Sequence, residues 1–186
     1  MNRIKQSLLA GILIGLGVIN NLQSKNPVIG ALLFSFGLLT IIQMQLSLYT
    51  GKIGYFSELH EIPFLFTVLI FNFTGIAATI GLYALSNQSF IDVISAAAAA
   101  KFAKSALTLF INAAFCGALI HFAIKNNKKI ILTIFAVMIF ILIGAEHCVA
   151  DFPYLLFNLS PINIFKFIGI VLGNSIGAIL IERLSQ

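Results

Sequence analysis

Glu146, His147 and Asp151 stand in the segment Gly144-Ala-Glu-His-Cys-Val-Ala-Asp151, inside a run of residues otherwise apolar enough to cross a membrane. Ionisable groups at bilayer depth are costly, and they face a pore, a partner or the interior of a helix bundle. Histidine is the side chain whose ordinary proton affinity lets it gain or lose a proton near neutral pH. A lone histidine in an apolar helix is also often a satisfied core residue. Here the adjacent Glu146, and Asp151 one turn further on, favour a water-accessible interruption of the helix.

A second polar break, Gln43-Met-Gln-Leu-Ser-Leu-Tyr-Thr-Gly51, lies in the first half of the chain. A glycine after Thr50 at the end of an apolar helix reads as a stop or a kink. The Thr50 hydroxyl then either caps a backbone group or reaches a polar partner across the bundle. Lys101 and Lys104 precede another apolar run. Interfacial snorkelling explains such lysines; a cationic funnel that gathers anions at a pore mouth is the functional alternative. His121 is a second histidine within a span. No His-x-x-x-His or Cys-x-x-Cys spacing suggests a metal. Cys116 and Cys148 fall within apolar runs, as free core thiols with no disulfide framework. No cofactor motif and no nucleophile–base pair points to an enzyme.

These residues are positioned by a membrane-embedded chain. Of its 186 residues 60% are hydrophobic and 9% charged, against about 25% charged in soluble domains, and mean hydropathy is +1.05. The apolar runs suit helices of about 20 residues rather than barrel strands. The basic start Met1-Asn-Arg-Ile-Lys5 leads into a run without a small-residue cleavage site, so it reads as a first span and not as a leader. The net charge of +5 is spread between spans and forms no nucleic-acid surface.

Six spans are expected, over 7–22, 28–49, 62–85, 106–124, 130–157 and 163–181. The second and fifth are too long for one straight crossing, so each should contain a break and a short second helix. Segment 86–104, with its alanine run at 96–100, reads as a short helix on or dipping into the outer face. With the N-terminus inside, the inner face holds Arg3, Lys5, Lys52, Lys125, Lys128, Lys129 and Arg183, and the outer face Lys25, Lys101, Lys104 and Lys166. That bias places both termini in the cytoplasm.

Asn72-Phe-Thr-Gly75 and Asn174-Ser-Ile-Gly177 repeat one pattern in the third and sixth spans, each after a polar break. Small-residue helix packing accounts for one such motif. Two at matched places favour a repeat, in halves of roughly 1–86 and 87–186. Three spans per half is odd, so the halves must insert oppositely: an inverted 3+3 repeat with broken helices meeting at the midplane.

These motifs, in this order, resemble the formate/nitrite transporter family. Leu48-Tyr-Thr-Gly51 is similar to that family's Leu-Phe-Thr-Gly in its broken second span. The Gly144–Asp151 segment resembles Gly-Phe-Glu-His-Ser-Val-Ala-Asn in its broken fifth span. Asn72-x-x-Gly75 and Asn174-x-x-Gly177 match its third and sixth spans, and Gly117-Ala-Leu-Ile-His121 sits where the family has Gly-Ile-Leu-Cys-Asn. The resemblance, to a compact member, implies an all-α, aquaporin-like membrane fold with broken second and fifth helices. It implies a homopentamer in a prokaryotic plasma membrane, each protomer with its own pore for a small weak-acid anion such as formate, nitrite or hydrosulfide. His147 would be the central histidine, Thr50 its contact in the loop, Leu48 and Tyr49 a constriction. Lys104, or second Lys101, would be the vestibule lysine. Asp151 departs from the family's Asn, Tyr49 from its Phe and His121 from its Asn.

The expected function is a channel in which Lys104 attracts the anion, His147 allows its protonation and the neutral acid passes an apolar slit. Bare anions pay heavily to lose water there, and burial favours an uncharged His147 at rest. The alternative is a neutral small-solute pore of the urea or water type, although paired Asn-Pro-Ala motifs are absent. A third reading is an assembly protein whose polar groups only join helices.

Overall fold

A computed structural model describes residues 2–186. Those residues are helical with no strand. The first helix, α1 (Arg3–Gln23), packs on α2 (Pro27–Gln43) and on α4 (Ile62–Ser86). A short α3 (Tyr49–Lys52) lies between α2 and α4, followed by single 3₁₀ turns at Ile53–Tyr55 and Leu59–Glu61. Then come α5 (Gln88–Phe102), α6 (Ala106–Lys125), α7 (Ile130–Leu142), α8 (Cys148–Phe157) and α9 (Pro161–Leu184). Four segments are long and apolar enough to cross a membrane: Arg3–Gln23, Leu59–Ser86, Ala106–Lys125 and Pro161–Leu184.

Helix α1 crosses α4, and α6 crosses α9, at glycines. A Cβ on Gly11 would strike the Asn72 carbonyl, and one on Gly75 the Leu8 carbonyl. A Cβ on Gly117 would strike the Asn174 carbonyl, and one on Gly177 the Ala114 carbonyl. Asn-x-x-Gly thus places an amide and a bare backbone on one helix face, one turn apart. The outward faces stay apolar: Leu16, Phe36, Phe66, Leu107, Phe115 and Phe165 are all exposed. A contiguous apolar exterior marks a membrane or partner surface.

The runs at 28–49 and 130–157 are each interrupted, and by the same device. After α2 the Leu46 N–H donates to the Ile41 carbonyl (2.9 Å) and the Gln45 N–H to that of Ile42 (3.1 Å). After α7 the Ala145 N–H donates to Phe140 (2.9 Å) and the Gly144 N–H to Ile141 (3.0 Å). Both are Schellman ends, with Gln45 at φ 52° and Gly144 at φ 69° in the left-handed region. The chain then runs extended and restarts as α3 and α8, whose N-caps are Leu48 and His147.

Segment 86–104 forms α5, a 15-residue helix that buries Phe90, Ile94, Ala98 and Phe102. That spacing of four puts them on one stripe, packed towards α4 and α8. The stripe fixes which way Lys101 and Lys104 face.

Candidate functional site

Asn72 holds the first break. Its side-chain carbonyl accepts from the Tyr49 N–H (2.8 Å), and its amide donates to the carbonyls of Ser7 (2.7 Å) and Ser47 (2.9 Å). Asn174 holds the second in the same way, accepting from the Cys148 N–H (2.7 Å) and donating to the carbonyls of Ala113 (2.7 Å) and Glu146 (2.8 Å). Non-helical backbone inside an apolar bundle survives only where its polar groups are satisfied, and each asparagine ties the broken chain to two long helices. Asn72 and Asn174 are therefore scaffold for the breaks.

The two breaks meet side chain to side chain: Thr50 Oγ1 lies 3.0 Å from His147 Nε2, and both residues are buried. The ring's other nitrogen, Nδ1, accepts from the Ala150 N–H at 3.1 Å. A backbone N–H can only donate, so Nδ1 carries no proton and the neutral ring holds its hydrogen on Nε2. His147 then donates to Thr50, whose own hydroxyl hydrogen is left to point elsewhere. Phe140 stacks beside the imidazole, with ring centroids 6.0 Å apart, and Phe34 meets Phe140 edge-on.

One cavity lies on each side of this pair. A cavity of about 140 Å³ is lined by His147, Asp151, Tyr154, Lys101, Lys104 and Phe140, among others. Another, of about 250 Å³, is lined by Leu48, Gly51, Lys52, Ile124 and Asn127, among others. Lys104 precedes α6 and Asn127 follows it, so the cavities open at opposite ends of a helix about 30 Å long.

The first cavity contains an ionic cluster. Glu146 is fully buried, and its oxygens meet Lys101 and, at 2.8 Å, Lys104. Lys101 also reaches Asp151 Oδ1 at 2.9 Å and lies 4.9 Å from the centre of the Tyr154 ring. The expected cationic funnel is corrected here: two lysines face two carboxylates, and the formal charges cancel. Buried ions persist only when paired, and Lys101 is the more buried lysine, its side chain 15% exposed against 37% for Lys104. Lys101 is thus the innermost cation, although the family resemblance put Lys104 first as the vestibule lysine.

Tyr49 and His121 lie apart from this core. Tyr49 lines neither cavity; its hydroxyl donates to Ser175 Oγ at 2.9 Å, which itself donates to the Val171 carbonyl. The hydroxyl that Tyr49 adds relative to the family's Phe is thus spent inside the bundle. His121 is buried near the far end of α6, with Nε2 2.6 Å from Glu182 Oε2 and its ring against Tyr55. Lys125 joins Glu182 at 3.2 Å.

Sequence reading missed Tyr154, Lys52 and Glu182. Tyr154 follows Asp151 by three residues, which shares a helix face. Nothing in the sequence pairs His121 with Glu182, 61 positions away.

A family model described as "Formate/nitrite transporter" matches residues 1–184. No curated protein matches the chain. Among solved structures it is similar to "FNT family ion channel", with TM-score 0.81 and 22% identity over 98% of this chain and 87% of that one. It is also similar to "Pentameric formate channel with formate bound", with TM-score 0.77 and 16% identity over 98% of this chain and 92% of that one. At these identities the likeness is one of fold. The match over nearly its whole length shows that this chain belongs to the formate/nitrite transporter family.

Proposed function

We propose that residues 1–186 form one transmembrane channel domain for small monovalent weak-acid anions, with formate, nitrite and hydrosulfide as candidate substrates. Permeation is proton-linked through His147. The domain crosses the membrane six times as an inverted 3+3 repeat, α1–α4 against α6–α9. The matched Asn72 and Asn174 bonds support this, as do the paired Schellman ends. Five copies assemble in a prokaryotic plasma membrane with both termini cytoplasmic; a structural relative is itself a "Pentameric formate channel".

The observation that carries the reading is a neutral histidine bonded to Thr50 between two cavities at opposite ends of the bundle. A fixed cation there would trap an anion, and a plain apolar plug would reject it. A proton from bulk solvent converts His147 to imidazolium, which hands that proton to the anion and returns to neutral. The uncharged acid then crosses the narrow apolar stretch beside Leu48 and dissociates beyond. Passing a neutral species avoids most of the desolvation cost of an anion.

Proteoliposome uptake tests this reading. The wild type should take up at least one of formate, nitrite and hydrosulfide, faster when the outside is more acidic. His147→Phe should reduce that flux at least about tenfold, since a factor of ten needs only about 1.4 kcal/mol of barrier. Unchanged flux in the variant would sink the proton-linked role. Urea flux indifferent to the pH gradient would favour the neutral-solute pore instead.

A further inference from the structure

Among the carboxylates, lysines and histidine of the ionic cluster, every fully buried side-chain polar atom but one has a protein partner. Both Glu146 oxygens hold lysines, Asp151 Oδ1 holds Lys101, and both His147 nitrogens are engaged. Asp151 Oδ2 is buried without a partner, on a residue 3% exposed that lines the cavity of about 140 Å³ beside His147. A buried unpaired carboxylate oxygen is costly and calls for a hydrogen-bond donor. The nearby ammonium groups are committed: that of Lys101 is shared between Glu146, Asp151 Oδ1 and the Tyr154 ring, and that of Lys104 turns to Glu146; the Tyr154 hydroxyl makes no hydrogen bond to Oδ2.

We infer that Asp151 is a specificity-determining residue, whose Oδ2 shares one proton with the permeating solute. The cavity thereby accepts a weak acid together with its proton and turns away the anion of a strong acid, which holds none. This rests on the channel reading above: the proton that His147 hands to the solute is the one shared with Oδ2, in the cavity that both residues line. An oxyacid O–H or a thiol S–H donates to Oδ2 with no covalent change. A bare anion meets instead an oxygen of its own sign, in a cluster whose two lysines are balanced by two carboxylates. Like charges in contact in a protein interior repel strongly enough for more than about tenfold discrimination.

The test is the ratio of formate to nitrate uptake in proteoliposomes at one pH, with empty vesicles subtracted. Wild type should favour formate at least about tenfold. Asp151→Asn leaves the two lysines facing one carboxylate, so nitrate should gain and the ratio fall about tenfold. Asp151→Ser repeats the measurement if the first variant fails to assemble. A merely structural Asp151 would lower both fluxes alike and leave the ratio unmoved, which overturns the proposal. So does wild-type nitrate uptake equal to formate uptake, with no variant needed. A wild type that carries none of formate, nitrite or hydrosulfide overturns the channel reading first and this one with it. Flux with an unmoved ratio overturns this one alone.

Discussion

Glu146 has no exposed surface and pairs with two ammonium groups. Removing one member of a buried ion pair leaves the other charged and unpaired, at a cost of about 3–5 kcal/mol. Glu146→Gln should therefore lower thermal stability in detergent sharply, and adding Lys101→Met should recover part of the loss; a loss that the second change deepens would mean the residues are not coupled. Thr50→Val is a gentler change: it leaves the His147 Nε2–H without an acceptor, at about 1–3 kcal/mol, and should slow flux with little change in assembly. These residues were legible because a polar group in an apolar run is rare and costly. Glu146, His147, Asp151 and Thr50 all drew notice for that reason. Rank among them was not legible. Lys101 and Lys104 differ by three positions near the end of α5, and only the stripe Phe90–Ile94–Ala98–Phe102 decides which lysine turns inward. Tyr154 and Glu182 gave no such signal, since an aromatic near a helix end and an acid near the chain's end are ordinary.

At the scale of elements, the breaks depend on two residues in the left-handed region. Gly144 adopts it without a Cβ penalty, whereas Gln45 incurs that penalty at φ 52°. The penalty for an L-residue is about 1–2 kcal/mol. Gln45→Gly should accordingly raise stability by about 1 kcal/mol and Gly144→Ala lower it by about as much, read as opposite shifts in melting temperature. Shifts of the same sign would mean that the two ends of α2 and α7 are not equivalent. The polar character of both breaks made them visible in sequence, and the overlong runs 28–49 and 130–157 required an interruption. Their shared construction was less visible. Gln45 and Gly144 occupy the same place in the two turns with unlike side chains, and the equivalence comes from carbonyl partners such as Ile41 and Phe140. The asparagines announced themselves by repetition, while their backbone partners Ser7 and Ala113 share no side-chain chemistry.

The whole molecule has two chemically different ends, and their orientation decides which solution meets Asp151. Lys166 donates to the Phe102 carbonyl at 2.7 Å, so the start of α9 lies with the ionic cluster. Lys125 reaches Glu182 and the Ser185 side chain, so the chain's C-terminal end lies with the opposite cavity. That second end also carries Lys128 and Lys129 just beyond α6, and positive charge between spans favours the cytoplasm. Native Cys116 and Cys148 are buried and should stay silent to a membrane-impermeant thiol reagent. Lys25 and Lys128 are both exposed, so Lys25→Cys should be labelled on intact cells and Lys128→Cys only after permeabilisation. The reverse pattern would put the ionic cluster in the cytoplasm and turn Asp151 into a filter on export. With the expected pattern, the Asp151 cavity faces outward, and an acidic exterior supplies the proton it shares. Uptake then strengthens as the outside acidifies, while efflux meets Leu48 and Lys52 first. The wall that allows this asymmetry is the apolar exterior, and in five copies of the 20.2 kDa chain much of it would be shared between neighbours. Native mass spectrometry from nanodiscs should therefore report five times the chain mass, and a monomer would leave Phe36, Phe66 and Phe115 to lipid alone.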